Sequence, residues 1–445
     1  MITRIEISGF KTFENFGVDL QPFTALVGPN ASGKSNLFDA FRFLSLLAQH
    51  DIRVAMQDLR GEPEELFRRT PSGTSGTMSF AVEVLLPRSG VDAFGTVYRV
   101  PAQRLRYELE LELLLAPDGT PRRVQVKREL CTPVPKGSDR ARSYLKSITV
   151  NYTRVSPFIR LSRAGDAIEV RQDGRQKHGR PVTLSLREAS RTALSTITTA
   201  EFPHLYALRD LLINVRFLEI NPYAARQAND RFEDPLLKPD ASNLSAVLAR
   251  LKEETSSPDR PDGVLADIAA DLASLIPSVC QLESGSDATQ RQFTYGLRFV
   301  GDLAFSSRVI SDGTLRLLAL LTLLNDPRRR GTLCFEEPEN GVHEGRIPSL
   351  VQFLRHAAVA TVDPDNPSFQ IIIATHSPKV MACLEDHEIV AADMVALASP
   401  RPEAARATRT RMRSGVLAVG DLYDPEHHLV RSEIERLLQR SVDAA

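Results

Sequence analysis

Cysteine is scarce. Cys131, Cys280, Cys334 and Cys383 are the only four in 445 residues, and no two form a CxxC pair. That argues against a disulfide framework or a zinc site and fits a reducing cytoplasm. A long apolar run is missing too: the best stretch, Leu317 to Leu324, is too short to span a bilayer. The opening MITRIEISGF lacks the apolar core of a signal peptide, so a cytoplasmic location without a membrane partner is expected. Charge of one sign is not in excess either. With 55 basic and 56 acidic residues the formal net charge is -1, which excludes a global attraction to polyanions and makes any nucleic-acid surface local. Internal repeats and sustained heptads are absent, so no long coiled coil divides the chain.

What is present is the composition of an ordinary globular protein, 42% apolar and 25% charged, at a length that suits two or three lobes. Its patterning changes four times. Residues 1–60 read as strands (TRIEISGF, FTALVG) followed by a helix whose stripe is Leu37, Phe38, Phe41, Leu44 and Leu47. After a weakly periodic connection with a short helix, residues 75–186 are β-rich. There SFAVEVLL and LRYELELELLL alternate at period two, APDGT turns into RRVQVKREL, and a hairpin is expected to turn at Asp173 and Gly174. Residues 187–290 read as mainly helical, and residues 291–445 alternate strand and helix in an α/β rhythm.

Chemistry concentrates in four short segments. VGPNASGKSNLFDAF places Gly28, four residues, then Gly33, Lys34 and Ser35 between a strand and a helix. Glycines there let backbone N–H groups turn inward around phosphates, a lysine reaches the β and γ phosphates, a serine hydroxyl ligates Mg2+, and the helix start adds positive potential. The segment TLCFEEPENGVH is an apolar strand ending in Glu336, placed to coordinate Mg2+ largely through water, and Glu337, placed to orient and deprotonate an attacking water. QIIIATHSP ends another apolar strand at His376, which can hydrogen-bond a γ-phosphate. SDGTLRLLALLTLL opens a helix at Ser311, Asp312 and Gly313 that can receive an anion. Each of the last three, alone, also reads as a plain strand end or helix cap. Their joint occurrence gives them weight.

GPNASGKSN, SDGTLRL, CFEEPENGVH and ATHSP, in that order, resemble the ATP-binding-cassette ATPases of the RecF, SMC and OLD-like group, above all the compact RecF-like predicted ATPases of the AAA family. LKPDASNLSAVLARL (237–251) is similar to a segment of those short proteins. The resemblance implies an α/β fold: an ABC-type P-loop head with an inserted antiparallel β-rich lobe and a helical lobe. It assigns Gly28, Pro29, Asn30, Ala31, Ser32, Gly33, Lys34, Ser35 and Asn36 to the Walker A loop and Glu336 with Glu337 to the Walker B end. Ser311 to Gly313 become the signature, Glu339, Asn340 and His343 belong to the D-loop, and His376 is the switch histidine. It further implies ATP and Mg2+ as cofactors and a homodimer, or a higher even oligomer, in which each signature caps the ATP of the other subunit. Glu336 departs from the aspartate most relatives carry, and no glutamine is singled out for the Q-loop, with Gln49 and Gln57 competing.

A basic stretch supplies the one local candidate for DNA. Residues 121–180 hold fifteen Lys or Arg, among them Arg122, Arg123, Lys127, Arg128, Arg140 and Arg142, against five acids, a net of +10. An acidic protein partner would fit the same charge. The expected function is thus an ATP-gated dimer acting on DNA in repair or chromosome maintenance. The alternative is an anti-phage defence ATPase that senses foreign DNA and controls a separate nuclease or toxin effector.

Overall fold

The structure is a computed structural model that describes residues 1–71, 73–153, 155–174, 181–287, 292–396, 407–415 and 428–442. Its centre is a seven-stranded sheet in the order Val215–Phe217, Gly331–Glu336, Phe369–Thr375, Phe23–Val27, Ile389–Ala396, Thr408–Gly415, His428–Leu429. The first five strands run parallel, and Thr408–Gly415 pairs antiparallel with Ile389–Ala396. The strand FTALV is buried at every residue, as a central parallel strand covered on both faces must be. Alternate side chains feed separate cores. Leu26, Cys334, Ile372 and Val390 enter one, whereas Ala25, Leu333, Ile371 and Ile389 enter the other.

The first of those cores is shared with an eight-stranded antiparallel sheet. It is built from Val182–Ser185, Ala167–Val170, Ile159–Leu161, Pro121–Pro133, Arg104–Leu115, Thr77–Leu85, Ile2–Ser8 and Phe16–Asp19. The helix Lys34–Leu47 lies between the two sheets, with Leu37, Phe38, Phe41 and Leu44 packed into the shared core. Phe10 stacks on Phe43 and both meet Phe80 edge to face, with centroids 5.3 to 6.0 Å apart, which joins the first loop, this helix and the antiparallel sheet.

On the opposite face lie the helices Asp312–Asn325 and Ile347–Ala357. The helices Leu244–Thr255 and Leu265–Leu275 and a four-stranded antiparallel sheet complete that side. Two expectations change here. The region read as mainly helical contains the strands Val215–Phe217 and Val279–Asp287, and the strand expected near Phe293, Gln292–Phe299, pairs with the latter instead of joining the α/β layer. The expected turn at Asp173 and Gly174 does lie between paired strands, but residues 175–180 of that connection are outside the described residues.

Candidate functional site

The Phe23–Val27 strand delivers the chain into the loop at Gly28, whose N–H donates to the Thr375 carbonyl at 3.3 Å. The loop is pressed against its neighbours so closely that only glycine fits at both ends. A Cβ on Gly28 would stand 2.2 Å from the Ala392 carbonyl oxygen, and one on Gly33 would stand 2.1 Å from Thr410 Oγ1. Gly33 (φ 93°) and Ala31 (φ 60°) occupy the left-handed region that lets consecutive amides face one way. Asn30 and Ala31 are exposed, Pro29 and Ser35 half-buried, and Ser32 buried. The Ser32 hydroxyl has no hydrogen-bond partner. Asn36 is turned aside: its amide donates to Thr12 Oγ1, which in turn contacts Thr410 Oγ1 at 2.6 Å.

Lys34 opens the helix and is only 9% exposed. Its ammonium donates to the carbonyls of Gly28 and Pro29 at 2.7 and 2.8 Å. Burial lowers its pKa, while the carboxylates of Glu337, Glu336 and Glu339 pull the other way. These acids reach it because the sheet places the Phe369–Thr375 strand between the loop strand and Gly331–Glu336, so three strand ends converge at one carboxyl edge.

Glu337 is the most constrained of the three. Its backbone is left-handed (φ 48°), its N–H donates to the Ala374 carbonyl at 2.8 Å, and both carboxylate oxygens are occupied. His376 Nδ1 lies 2.8 Å from Oε1, and the Asn340 amide donates to Oε2 at 2.7 Å. Glu339 accepts from the Thr375 hydroxyl through Oε1 while its Oε2 is buried without a partner. Burial raises the Glu339 pKa above the ordinary carboxylate range. His343 caps the short turn Glu344–Arg346 by accepting from the Gly345 N–H at 3.2 Å.

Ser311 is the exposed N-cap of Asp312–Asn325, accepting from the Thr314 N–H at 3.3 Å, and Asp312 pairs with Arg226 at 2.5 Å. The start of this helix touches the turn after the acids, since a Cβ on Gly341 would be 2.8 Å from Gly313 Cα. Sequence reasoning passed over Arg316, whose guanidinium donates to the carbonyls of Glu336 and Glu337 at 2.6 and 3.1 Å. The signal was there, a single charge inside the apolar helix TLRLLALLTLL. Gln49 donates to the Ser45 carbonyl of its own helix.

The residues present suit a Mg2+ nucleotide. Among the described residues no three His, Cys, Asp or Glu gather as a metal cage, and Ser35 with Glu336 offer the one or two ligands that Mg2+ takes beside phosphate and water. The orphaned Ser32 hydroxyl and the Lys34 ammonium, now spent on loop carbonyls, would both find partners in phosphate oxygens.

The family model described as "AAA domain, putative AbiEii toxin, Type IV TA system" matches residues 23–382. The chain belongs to this AAA-domain family. Over 44 residues this family member is 48% identical to the chromosome partition protein Smc of Methanocaldococcus jannaschii, a stretch that is 10% of this chain and spans only 4% of that relative's length. Among solved structures, an Smc head bound to the C-terminal winged-helix domain of ScpA aligns at TM-score 0.49 and 14% identity, covering 93% of this chain and 98% of that one. The SMC head of Thermotoga maritima aligns at 0.40 and 12%, covering 92% and 97%. The AAA-domain protein has an α/β fold in which a mostly parallel sheet carries the loop, beside an antiparallel sheet formed by Ile2–Ser8 and Phe16–Asp19 together with strands that follow the first helix. No helix of the described residues is long and apolar enough to cross a membrane.

The basic segment looks different in space. Lys127 pairs with Glu110 at 2.8 Å, Arg128 with Glu108 at 3.3 Å, Arg123 with Glu188 at 3.1 Å, Arg140 with Asp19 at 3.0 Å and Arg160 with Glu169 at 2.7 Å. Arg142 donates to the Lys136 carbonyl, and Arg122 is exposed. Arg154, Arg175, Lys177 and Arg180 are outside the described residues. The strand Arg104–Leu115, with Glu108, Glu110 and Glu112 on one face, supplies much of the opposing charge.

Proposed function

We propose that this protein binds ATP with Mg2+, hydrolyses it, and uses the bound nucleotide to hold two copies head to tail. The observation that carries the reading is the buried Lys34 ammonium opposite Glu336, Glu337 and Glu339 at the edge where the loop strand and its neighbours end. In this reading the backbone N–H groups of Asn30, Ala31, Gly33 and Lys34 cradle the phosphates, with Asn36 fixing the helix start from behind. Lys34 leaves the loop carbonyls to meet the β and γ oxygens. Mg2+, when bound, neutralises phosphate charge, with Ser35 and Glu336 to hold it. Glu337 takes the proton of the attacking water, and His376 and Asn340 fix the direction of its carboxylate. Ser311 and the Gly313 amide, exposed at a helix start, serve the γ-phosphate held by the other subunit. The four unpaired cysteines support a cytoplasmic location.

Two settings are proposed for this switch. Action on DNA in repair or chromosome maintenance draws on the basic segment, five of whose eleven described Lys and Arg are paired with acids. Control of a separate toxin or nuclease in a defence system is favoured by the family description, which names a toxin–antitoxin system. The test is sizing of the Glu337→Gln variant with ATP, with and without duplex DNA, beside Lys34→Ala. Glu337→Gln should bind ATP, lose about 100-fold or more of turnover and run as a dimer with ATP, and Lys34→Ala should bind none. Undiminished turnover in Glu337→Gln would move the general base elsewhere, and ATP affinity surviving in Lys34→Ala would sink the loop assignment.

A further inference from the structure

The helix that begins at Ser311 is fastened to the acids at two points. Gly313 lies against Gly341 so closely that a Cβ on Gly341 would stand 2.8 Å from Gly313 Cα, and one on Gly313 3.2 Å from Gly341 Cα. One turn further on, Arg316 sends its guanidinium across the end of Gly331–Glu336, where Nη2 donates to the carbonyls of both Glu336 and Glu337. The Phe335 ring lies under the same guanidinium, 4.9 Å from centroid to carbon. Arg316 is half-buried, Nε has no partner, and none of the three nearby carboxylates takes a hydrogen bond from it. Its bonds go to backbone alone, and the backbone they hold is the left-handed Glu337, a conformation that costs a non-glycine residue free energy unless its surroundings enforce it.

We infer that Arg316 is a positioning residue which ties the Asp312–Asn325 helix to the Glu337 backbone, so that a shift of the helix shifts the Glu337 carboxylate. The inference rests on the reading of Glu337 as the general base. A guanidinium suits the task because one of its planar NH2 groups holds both carbonyls while the delocalised plane lies on the aromatic ring, whereas an ammonium has no flat face to lay there. Engagement of Ser311 by a nucleotide in the other subunit would then be felt, through Arg316, at the carboxylate of its own subunit. Each site would be primed only when its partner site is filled.

Steady-state hydrolysis and Mg-ATP binding by the full chain, for Arg316→Lys and Arg316→Met alone and in the Glu337→Gln background, test this. Each single variant should lose about 10-fold or more in kcat while the ATP dissociation constant moves less than about 3-fold. In the Glu337→Gln background the same substitutions should change the residual rate less than about 2-fold, because Arg316 acts through Glu337. A general loosening of the fold would instead lower both backgrounds alike, and that result overturns the inference, as does an unchanged kcat in Arg316→Lys. The lysine variant keeps a cation in place and decides the matter if the methionine variant does not fold. No turnover in the unaltered protein would remove the reading of Glu337 itself; normal turnover there with no effect of Arg316→Lys removes only this inference.

Discussion

At the scale of single residues, the loop from Gly28 to Gly33 is defined as much by what it presses against as by its own spacing. Gly33 combines a left-handed backbone with contact to Thr410, so Gly33→Ala incurs both backbone strain and a clash. Destabilisation on the order of 2 to 5 kcal/mol in chemical denaturation is expected, with part recovered when Thr410→Ala makes room. A loss below about 0.5 kcal/mol would mean that the loop has space the packing denies. The loop's place between the strand Phe23–Val27 and the helix Lys34–Leu47 was legible from the glycine spacing. Arg316 and the Thr12–Thr410 contact were not: each acts through partners hundreds of residues away or through backbone carbonyls, which leave no mark on neighbouring letters.

At the scale of elements, the period-two stretches gave reliable strands, and FTALV and QIIIAT are buried central strands whose polar residues Thr24, Gln370 and Thr375 are each hydrogen-bonded inside the protein. Val215–Phe217 was hidden because three residues carry no period, and Val279–Asp287 because VCQLESGSD has too few apolar residues to alternate. One element junction carries a titratable group. Glu129, fully buried on Pro121–Pro133, accepts from the N–H groups of Ala193 and Leu194 and from the Tyr107 hydroxyl, and burial pushes its pKa from the ordinary 4.5 up to about 7. The buried Cys131 and Asp173 also face it or its neighbours. A carboxyl that holds its proton more tightly when folded stabilises below its unfolded pKa and loses that contribution as pH rises through the folded one. Thermal stability should therefore decline between about pH 4.5 and about pH 7, by roughly 3 kcal/mol at most from this group. Glu129→Gln should flatten the slope of melting temperature against pH across that window. An identical slope in both proteins would assign the titration to another group.

At the scale of the molecule, part of the net charge of +10 over residues 121–180 is offset in space, because Glu108 and Glu110 of a neighbouring strand pair with Arg128 and Lys127. Lys127→Glu with Arg128→Glu should thus weaken any duplex binding by less than about 3-fold at physiological salt and change its salt slope by well under two. A loss of an order of magnitude or more would mark this face as the DNA surface after all. The fold class was legible because strand and helix alternate in the last third of the chain, but the charge distribution was not, since pairing across strands depends on register.

The same interleaving governs how the protein is made. Val27, at the mouth of the phosphate loop, pairs with Thr375, so the loop strand's neighbour lies 348 positions further along the chain. At about 5 to 20 residues per second, the ribosome needs roughly 17 to 70 seconds to supply that neighbour. Through this interval the antiparallel sheet can close around the Lys34–Leu47 helix, while the apolar strand FTALV waits without its partner. The Gly28–Gly33 loop is synthesised long before the strand that completes its surroundings, which makes the nascent chain, more than the finished protein, the form most exposed to aggregation and chaperones.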